Sequence, residues 1–392
     1  MTLKPKRKIL KVSVLAPDLA GGGTTRVFLV ARVFQKLNYQ VKILGCQFGE
    51  QIYPEPPADI PVYSIPGLNY PQMLDSSHKM LDEIDGDLVC AIKPRPTSFG
   101  IALLNKLIKQ KPVLLDIDDW EMSWEGGDAW KYRPSFRQLG RDILKTEGEL
   151  RKPNHRFYLQ KMEKLVKFAN AITVDTKFLQ NRFGGTYLPN GKDTSLFDPA
   201  QYNAEVSRAR YGLSEYRVLM FPGTARPHKG LEDVLQALDI LNQPDFRLVI
   251  VGGRKPDNYE DQLMEQWGRW IIKLPRFPLD AMPEVVAAAH LIVVPQRDTP
   301  IAVAQCPLKL SDGMAMAKPI LSTKVGDIPE MLGDTGYLVD SHSPEKIAEQ
   351  IQWIFEHLNE ANERGMRARK RCIEYYSLEA MSAILSEAIA GL

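Results

Sequence analysis

The chain has 392 residues, 44% of them hydrophobic and 25% charged, which is the composition of folded globular protein with enough apolar material for two cores. Its formal net charge is only +2, so nothing global argues for nucleic-acid binding and any basic site must be local. The four cysteines, Cys46, Cys90, Cys306 and Cys372, are far apart, with no CxxC pair and no histidine at ligand spacing, which argues against a disulfide framework or a zinc site and for a reducing, cytoplasmic setting.

The N-terminus reads Lys4-Pro5-Lys6-Arg7-Lys8 and then Ile9-Leu10. The apolar run after it is broken by Lys11 and Ser13, too short for the core of a signal peptide. No segment has the apolar length to span a bilayer. "KVSVLAP" predicts a first strand, and "GGGTTRVFLVARVFQKLNY" a glycine turn feeding a helix. "QVKILG", "LVCAIKP", "PVLLDIDD" and "AITVDT" predict further strands, with helical pattern in "TSFGIALLNKLIKQ" and "TKFLQNRFG". The pattern then restarts. "YRVLMFPG", "FRLVIVGG", "IIKLPRF", "LIVVPQ" and "PILST" predict strands, separated by amphipathic helices. Between the halves, "LPNGKDTSLFDP" (Leu188–Pro199) is rich in turn formers and has no period. The expected plan is α/β: two doubly wound, Rossmann-like domains, 1–189 and 190–370, with a closing helix at 371–392 that packs back on the first domain. Such domains bind ligands at the carboxyl ends of their strands, so the expected site is a cleft facing both.

Three stretches carry candidate chemistry. In Gly21-Gly22-Gly23-Thr24-Thr25-Arg26, glycines would let a ligand approach a helix N-terminus, although a flexible turn reads equally well. A dinucleotide fingerprint fails there. Arg26 stands where its third glycine belongs, and the second strand ends without an acid. In "GTARPHKG" (Gly223–Gly230), Arg226 and Lys229 sit three apart in a loop opening a helix, which suits a diphosphate clamp; the bland alternative is a solvated loop. By position alone, Gly253, Arg276 and Phe277 at later strand ends would line the same pocket. In "CPLKLSDGMAMAKPILST", the turn Gln305-Cys306-Pro307-Leu308 would offer amides to an anion. Asp312 reads either as an acceptor for sugar hydroxyls or as a carboxylate capping the helix start.

Taken in order, these stretches resemble retaining nucleotide-sugar glycosyltransferases of the GT-B fold, in the large family 4 (glycosyl transferases group 1). "RPHKG" resembles that family's Arg…Lys-Gly phosphate motif. "PLKLSDGMAMAKPILST" with "GDIPE" resembles its donor block P-x-K-x-x-E-x-M-A-x-G-x-P, "LPNGKDTSLFDP" its interdomain segment and "GGGTTR" its N-terminal loop. The resemblance implies a nucleoside-diphosphate sugar donor held by Gly22, Gly23, Thr24, Gly223, Arg226, Lys229, Gly253, Arg276, Phe277, Gln305–Leu308, Lys309 and Asp312. Arg226 and Lys229 would replace a metal at the diphosphate, so neither metal nor cofactor is expected. Asp312 stands at the family's second glutamate, which holds the donor ribose. Eight residues earlier Ala304 stands where the first acid belongs, and Ala317 replaces the glycine before the last proline. A silent nucleotide-sugar-binding partner subunit or a sugar-nucleotide epimerase is the alternative.

"DIDDWE" (Asp116–Glu121) invites a metal reading through its D-x-D. Within the resemblance, Asp118 or Asp119 belongs at a hydroxyl acceptor; the structural alternative is a loop or cap acid. Trp120, Trp124 and Trp130 follow, and then Arg137, Arg141, Lys145, Arg151, Lys152, Arg156, Lys161, Lys164 and Lys167. This reads as a peripheral surface for an anionic membrane or a lipid-linked acceptor, or, more commonly for a charge run, as a solvated helix face.

Overall fold

The computed structural model describes residues 10–21, 23–253 and 257–392; Gly22, the basic N-terminal run and residues 254–256 lie outside them. The chain forms two compact units, one of Met1–Leu188 with Met381–Leu392, the other of Pro189–Ala380.

Unit 1 is built on seven parallel strands: β1 (Lys11–Ala16), β2 (Gln40–Gln47), β3 (Val62–Pro66), β4 (Leu88–Ile92), β5 (Val113–Ile117), β6 (Ala171–Val174) and β7 (Thr186–Tyr187). Their order is β3-β2-β1-β4-β5-β6-β7. Unit 2 repeats the plan with β8 (Arg217–Pro222), β9 (Phe246–Val251), β10 (Ile271–Leu274), β11 (Leu291–Val294), β12 (Ile320–Thr323) and β13 (Tyr337–Val339), ordered β10-β9-β8-β11-β12-β13. Central strands such as β4 and β5 are buried at every residue. Helices cover both faces of a parallel sheet, so these strands read as unbroken apolar runs. In each sheet the order reverses beside the first strand, between β1 and β4 and between β8 and β11. A doubly wound sheet binds ligands outside the carboxyl ends of the strands at that point.

Three strands are not among those the sequence predicts: β3, β7 and β13. All three are sheet edges, short and partly exposed. The tail also differs from the single closing helix expected from Arg371. One helix runs Leu358–Tyr375 and another Leu378–Ala388. The break has a cause. The amide of Lys192 donates to the Tyr376 carbonyl at 2.8 Å and that of Leu378 to the Lys192 carbonyl at 3.1 Å, so residues 376–378 leave the helix to pair with the segment after unit 1. Ser377 then caps the new helix through a 3.1 Å bond from the Ala380 amide. Among the described residues no helix is long and apolar enough to cross a membrane.

Two left-handed backbone positions in unit 2 have opposite chemistry. Gly230 (φ +66°) joins a one-turn helix, Pro227–Lys229, to the helix Leu231–Leu241, and a Cβ there would lie 2.1 Å from the Pro295 carbonyl oxygen. Ala317 (φ +54°) follows the helix Leu308–Ala315. The Lys318 amide bonds the Gly313 carbonyl at 3.0 Å and the Ala317 amide the Met314 carbonyl at 3.1 Å, a pattern that favours glycine at the left-handed residue. The glycine absent from the donor block is thus absent at a position whose backbone wants it. Ala317→Gly should stabilise the chain by about 0.5–1 kcal/mol, by relieving a left-handed alanine at some cost in unfolded-state entropy. Gly230→Ala should destabilise it by about 2 kcal/mol or more, because strain and a backbone clash add. Urea unfolding of both variants checks the pair. Equal midpoints for wild type and both variants would remove the argument.

Candidate functional site

The densest cation cluster of unit 2 lies at the carboxyl end of β8. Gly223 follows the strand directly. A Cβ on it would come within 3.0 Å of Lys309 Cε, so the missing side chain leaves the lysine room to lie across the strand end, with its ammonium 5.0 Å from the Phe221 ring centre. Arg226 is extended, and the turn that follows buries His228 and Lys229. Lys229 Nζ donates to Gln296 Oε1 at 3.2 Å, just beyond β11, and to Gln305 Oε1 at 2.8 Å. Lys229 is therefore a buried, anchored cation rather than part of a solvated loop.

The electrostatics register the convergence. Burial, and then Lys229, Lys309 and Arg226, hold the His228 imidazole down at about 3, so it is neutral at pH 7. Burial also pulls Lys309 down to about 8, against the partial support of Asp312 and Cys306. Among the described residues, no carboxylate lies within ion-pair distance of Arg226 or Lys309. Converging cations of which two lack a paired carboxylate are suited to hold an anion.

The helix Leu308–Ala315 is held beside this cluster by the Pro-Asn-Gly turn that opens unit 2. Asn190 Nδ2 donates to the Cys306 carbonyl at 3.1 Å, and Ser311 Oγ to the Asn190 carbonyl at 3.1 Å. Pro307 occupies the N-cap position with no side-chain cap, which leaves first-turn amides of the helix uncapped by any side chain. Asp312 is the fifth residue of this helix and caps nothing. Its carboxylate forms an ion pair with Lys192, both groups about nine-tenths buried. The capping alternative therefore fails. The actual partner, 120 positions away in sequence number, gives no local signal.

The remaining donor-pocket candidates divide. Gly223, Arg226, Lys229, Gln305 and Lys309 share the end of β8, with Cys306, Pro307 and Leu308 leading into the adjacent helix. Gly253 and Arg276 touch each other: a Cβ on Gly253 would lie 2.3 Å from an Arg276 Nη atom. Phe277 packs into the core of unit 2, edge-on to Tyr211 at 5.5 Å. Ala304 is wholly buried, so no group there could take the place of the missing acid.

Unit 1 gathers charge of both signs at the carboxyl ends of β4, β5 and β6. Thr24 opens the first helix and donates to the carbonyls of Asp18 (3.0 Å) and Gly21 (2.7 Å). A Cβ on Gly23 would lie 3.1 Å from Lys93 Cε, so this loop packs on Lys93. The D-x-D acids part company. Asp116 is buried against Arg26 through two 2.8 Å bonds and accepts from Thr173 Oγ1 at 2.7 Å. Asp118 Oδ1 lies 3.4 Å from Lys93 Nζ and Asp119 Oδ2 lies 3.6 Å from it; Asp119 also accepts from Trp124 Nε1 at 3.2 Å. Lys93 Nζ bonds Glu121 Oε1 at 2.8 Å, and Arg95 grips the other oxygen of Glu121. Among the described residues, no three His, Cys, Asp or Glu side chains are placed to hold a metal.

Lys93 is a residue of this cluster that sequence reasoning missed. It leaves β4 with φ +65°, a conformation costly for lysine, and its ammonium faces three carboxylates. Burial raises the Asp118 carboxyl, an effect only partly offset by Lys93. Burial would raise Glu121 too, but Lys93 and Arg95 outweigh it and hold that carboxyl at about 2. Asp118 and Glu121 are thus driven apart in proton affinity three residues from one another, a pattern met at catalytic sites and in structural ion-pair networks alike.

Residues 216–357 match the family Glycosyl transferases group 1. The chain is 23% identical over 239 residues to the GDP-mannose-dependent alpha-(1-6)-phosphatidylinositol monomannoside mannosyltransferase of Mycolicibacterium smegmatis, covering 57% of this chain and 63% of that protein. It is 30% identical over 217 residues to the D-inositol 3-phosphate glycosyltransferase of Corynebacterium glutamicum, covering 50% of this chain and 49% of the relative. The matches thus span half to less than two thirds of these relatives. Among solved structures, Anabaena Alr3699/HepE in complex with UDP and glucose has a TM-score of 0.72 at 16% identity, covering 98% of this chain and 100% of that one. A glycosyltransferase from Rickettsia africae ESF-5 has a TM-score of 0.70 at 17% identity, with coverage of 98% and 100%. The chain therefore has the GT-B fold of glycosyltransferases, and its second unit carries the match to Glycosyl transferases group 1.

Proposed function

We propose that the protein transfers a sugar from a nucleoside-diphosphate sugar to a hydroxyl acceptor, with retention of configuration. The observation that carries this reading is the meeting of Arg226, Lys229 and Lys309 at the end of β8, where among the described residues no carboxylate pairs with Arg226 or Lys309. A leaving nucleoside diphosphate gains negative charge as the sugar–phosphate bond breaks. Fixed cations in a buried setting stabilise that charge without reorganising. Uncapped amides at the start of the helix Leu308–Ala315 add to the same field. Asp312, oriented by Lys192, is the acceptor proposed for the donor ribose. The neighbours support the reading by analogy, since the relatives' names include a GDP-mannose-dependent enzyme and the Anabaena structure holds UDP and glucose.

The acceptor belongs to unit 1. Asp118 keeps a proton more readily than an ordinary aspartate, and it faces Lys93, which can orient it toward a hydroxyl. A metal is not required on this reading, because cations of the chain face the diphosphate.

Transfer assays with a panel of nucleotide sugars test the proposal. Turnover with at least one donor is expected, unchanged by EDTA. Arg226→Ala should lower it by roughly two to three orders of magnitude, as loss of one preorganised charge donor does. Its melting temperature should hold, because no ion pair is lost with it. Lys229→Ala is a poorer test, since it also removes a hydrogen-bond donor from the buried Gln296 and from Gln305. Wild-type turnover by Arg226→Ala would place the diphosphate elsewhere. Loss on chelation, restored by magnesium or manganese, would return the role to a metal.

A further inference from the structure

Fifty-three residues separate β5 from β6, and the first helix of this excursion is oriented against expectation. The helix Phe136–Leu144 is amphipathic. At about 100° per residue, Phe136, Leu139, Ile143 and Leu144 share an arc of about 140°, while Arg137, Arg141 and Lys145 lie together beside it. A surface helix normally turns such an arc toward the core. Here the one buried residue of the helix is Asp142, held by a 2.7 Å bond from Tyr132 Oη. The apolar arc faces out: Phe136 is 96% exposed, Leu144 80% and Ile143 50%. Among the described residues nothing covers this face, and exposing it costs free energy that a partner would recover.

The surroundings say which partner. From Lys131 to Lys145 the segment carries five cations, Lys131, Arg133, Arg137, Arg141 and Lys145, all exposed, against the single acid Asp142. Behind the helix lies a cavity of about 610 Å³, where the cations Lys131, Arg133, Arg141, Lys152 and Arg156 outnumber the acids Glu125, Asp142 and Glu149. That excess of positive charge suits a phosphate-bearing headgroup. An outward apolar arc flanked by arginine and lysine is the chemistry of a helix lying in a membrane interface, not of a neutral protein groove. We propose that this helix docks the protein on an anionic bilayer. Phe136, Ile143 and Leu144 enter the acyl boundary, and the flanking cations meet the phosphates. The excursion leaves the sheet at the carboxyl end of β5, the end that carries Asp118 and Asp119, so docking brings the bilayer to the side of unit 1 proposed to receive the acceptor.

Flotation with vesicles of phosphatidylglycerol and phosphatidylcholine tests this on the full chain, with no need for glycosyl transfer. Binding to the anionic vesicles is expected at low salt, with loss at high salt through screening. Phe136→Ser with Leu144→Ser should weaken it by about tenfold or more, since two large apolar side chains leave the interface. Arg133→Glu with Arg137→Glu should do the same. These positions are exposed, and matching thermal melts verify the fold. As a control, Leu107→Ser with Ile108→Ser changes another exposed apolar pair near the C-terminal end of the helix Ile101–Lys109, which leads back to the start of β5, and should leave binding unchanged. Absence of wild-type binding would overturn the proposal, as would equal binding by the serine variant or loss of binding only in the control. So would a concentration-dependent dimer, dissolved by Phe136→Ser with Leu144→Ser, in a protein that ignores vesicles.

Discussion

Positive charge collected at one strand end is the constraint around which unit 2 is arranged. Arg226, Lys229 and Lys309 repel one another, and burial adds a desolvation cost that Asp312 offsets only in part at Lys309. Neutral devices hold them in place: two glutamine amides on Lys229, an aromatic face under Lys309 and a neutral imidazole beside both. The carboxylate nearest in sequence, Asp312, is engaged elsewhere by Lys192. Such an arrangement would gain from a bound anion, which is the role proposed for it here.

Unit 1 meets the same problem differently. Its buried cations, Arg26, Lys93 and Arg95, are each matched to acids, and the excess is negative. Burial holds Asp175 well above the ordinary aspartate range and raises Asp118, so these acids retain protons that exposed ones would lose. One sheet end thus gathers cations, and the other gathers acids whose proton affinities differ. The proposed transfer would use the first for a diphosphate leaving group and the second for a hydroxyl nucleophile.

The central strands were legible because burial on both faces writes a continuous apolar run, as in "LVCAI" and "LIVV". The edge strands β3 and β7 were not, because partly exposed strands lack that signature, and the three residues of β13 are too few to write it. The basic loop of Arg226, Lys229 and Gly230 was legible because its cations and its glycine lie together in the chain, directly after a strand. Lys192–Asp312 was not, because ion pairing across 120 positions leaves no periodic trace. Lys93 looked like an ordinary strand-end lysine; only the fold brings it to Asp118 and Glu121. The helix Phe136–Leu144 shows a further limit. Its amphipathic period is plain in the sequence, but a period does not say which face turns inward, and here the apolar face turns out.

The most direct test of the account is a calorimetric titration of the chain with uridine, guanosine and adenosine diphosphates, beside the same titration of Lys309→Met. At least one diphosphate should bind. Its affinity should fall about tenfold or more in the variant, the equivalent of about 1.4 kcal/mol. In the wild type it should also weaken as the pH rises past about 8, where free Lys309 gives up its proton. The sign follows from charge: the protonated lysine attracts the anion, so binding is strongest below that pH. Failure of all three diphosphates to bind, or equal affinity for the wild type and Lys309→Met, would contradict the claim that these cations form the donor site.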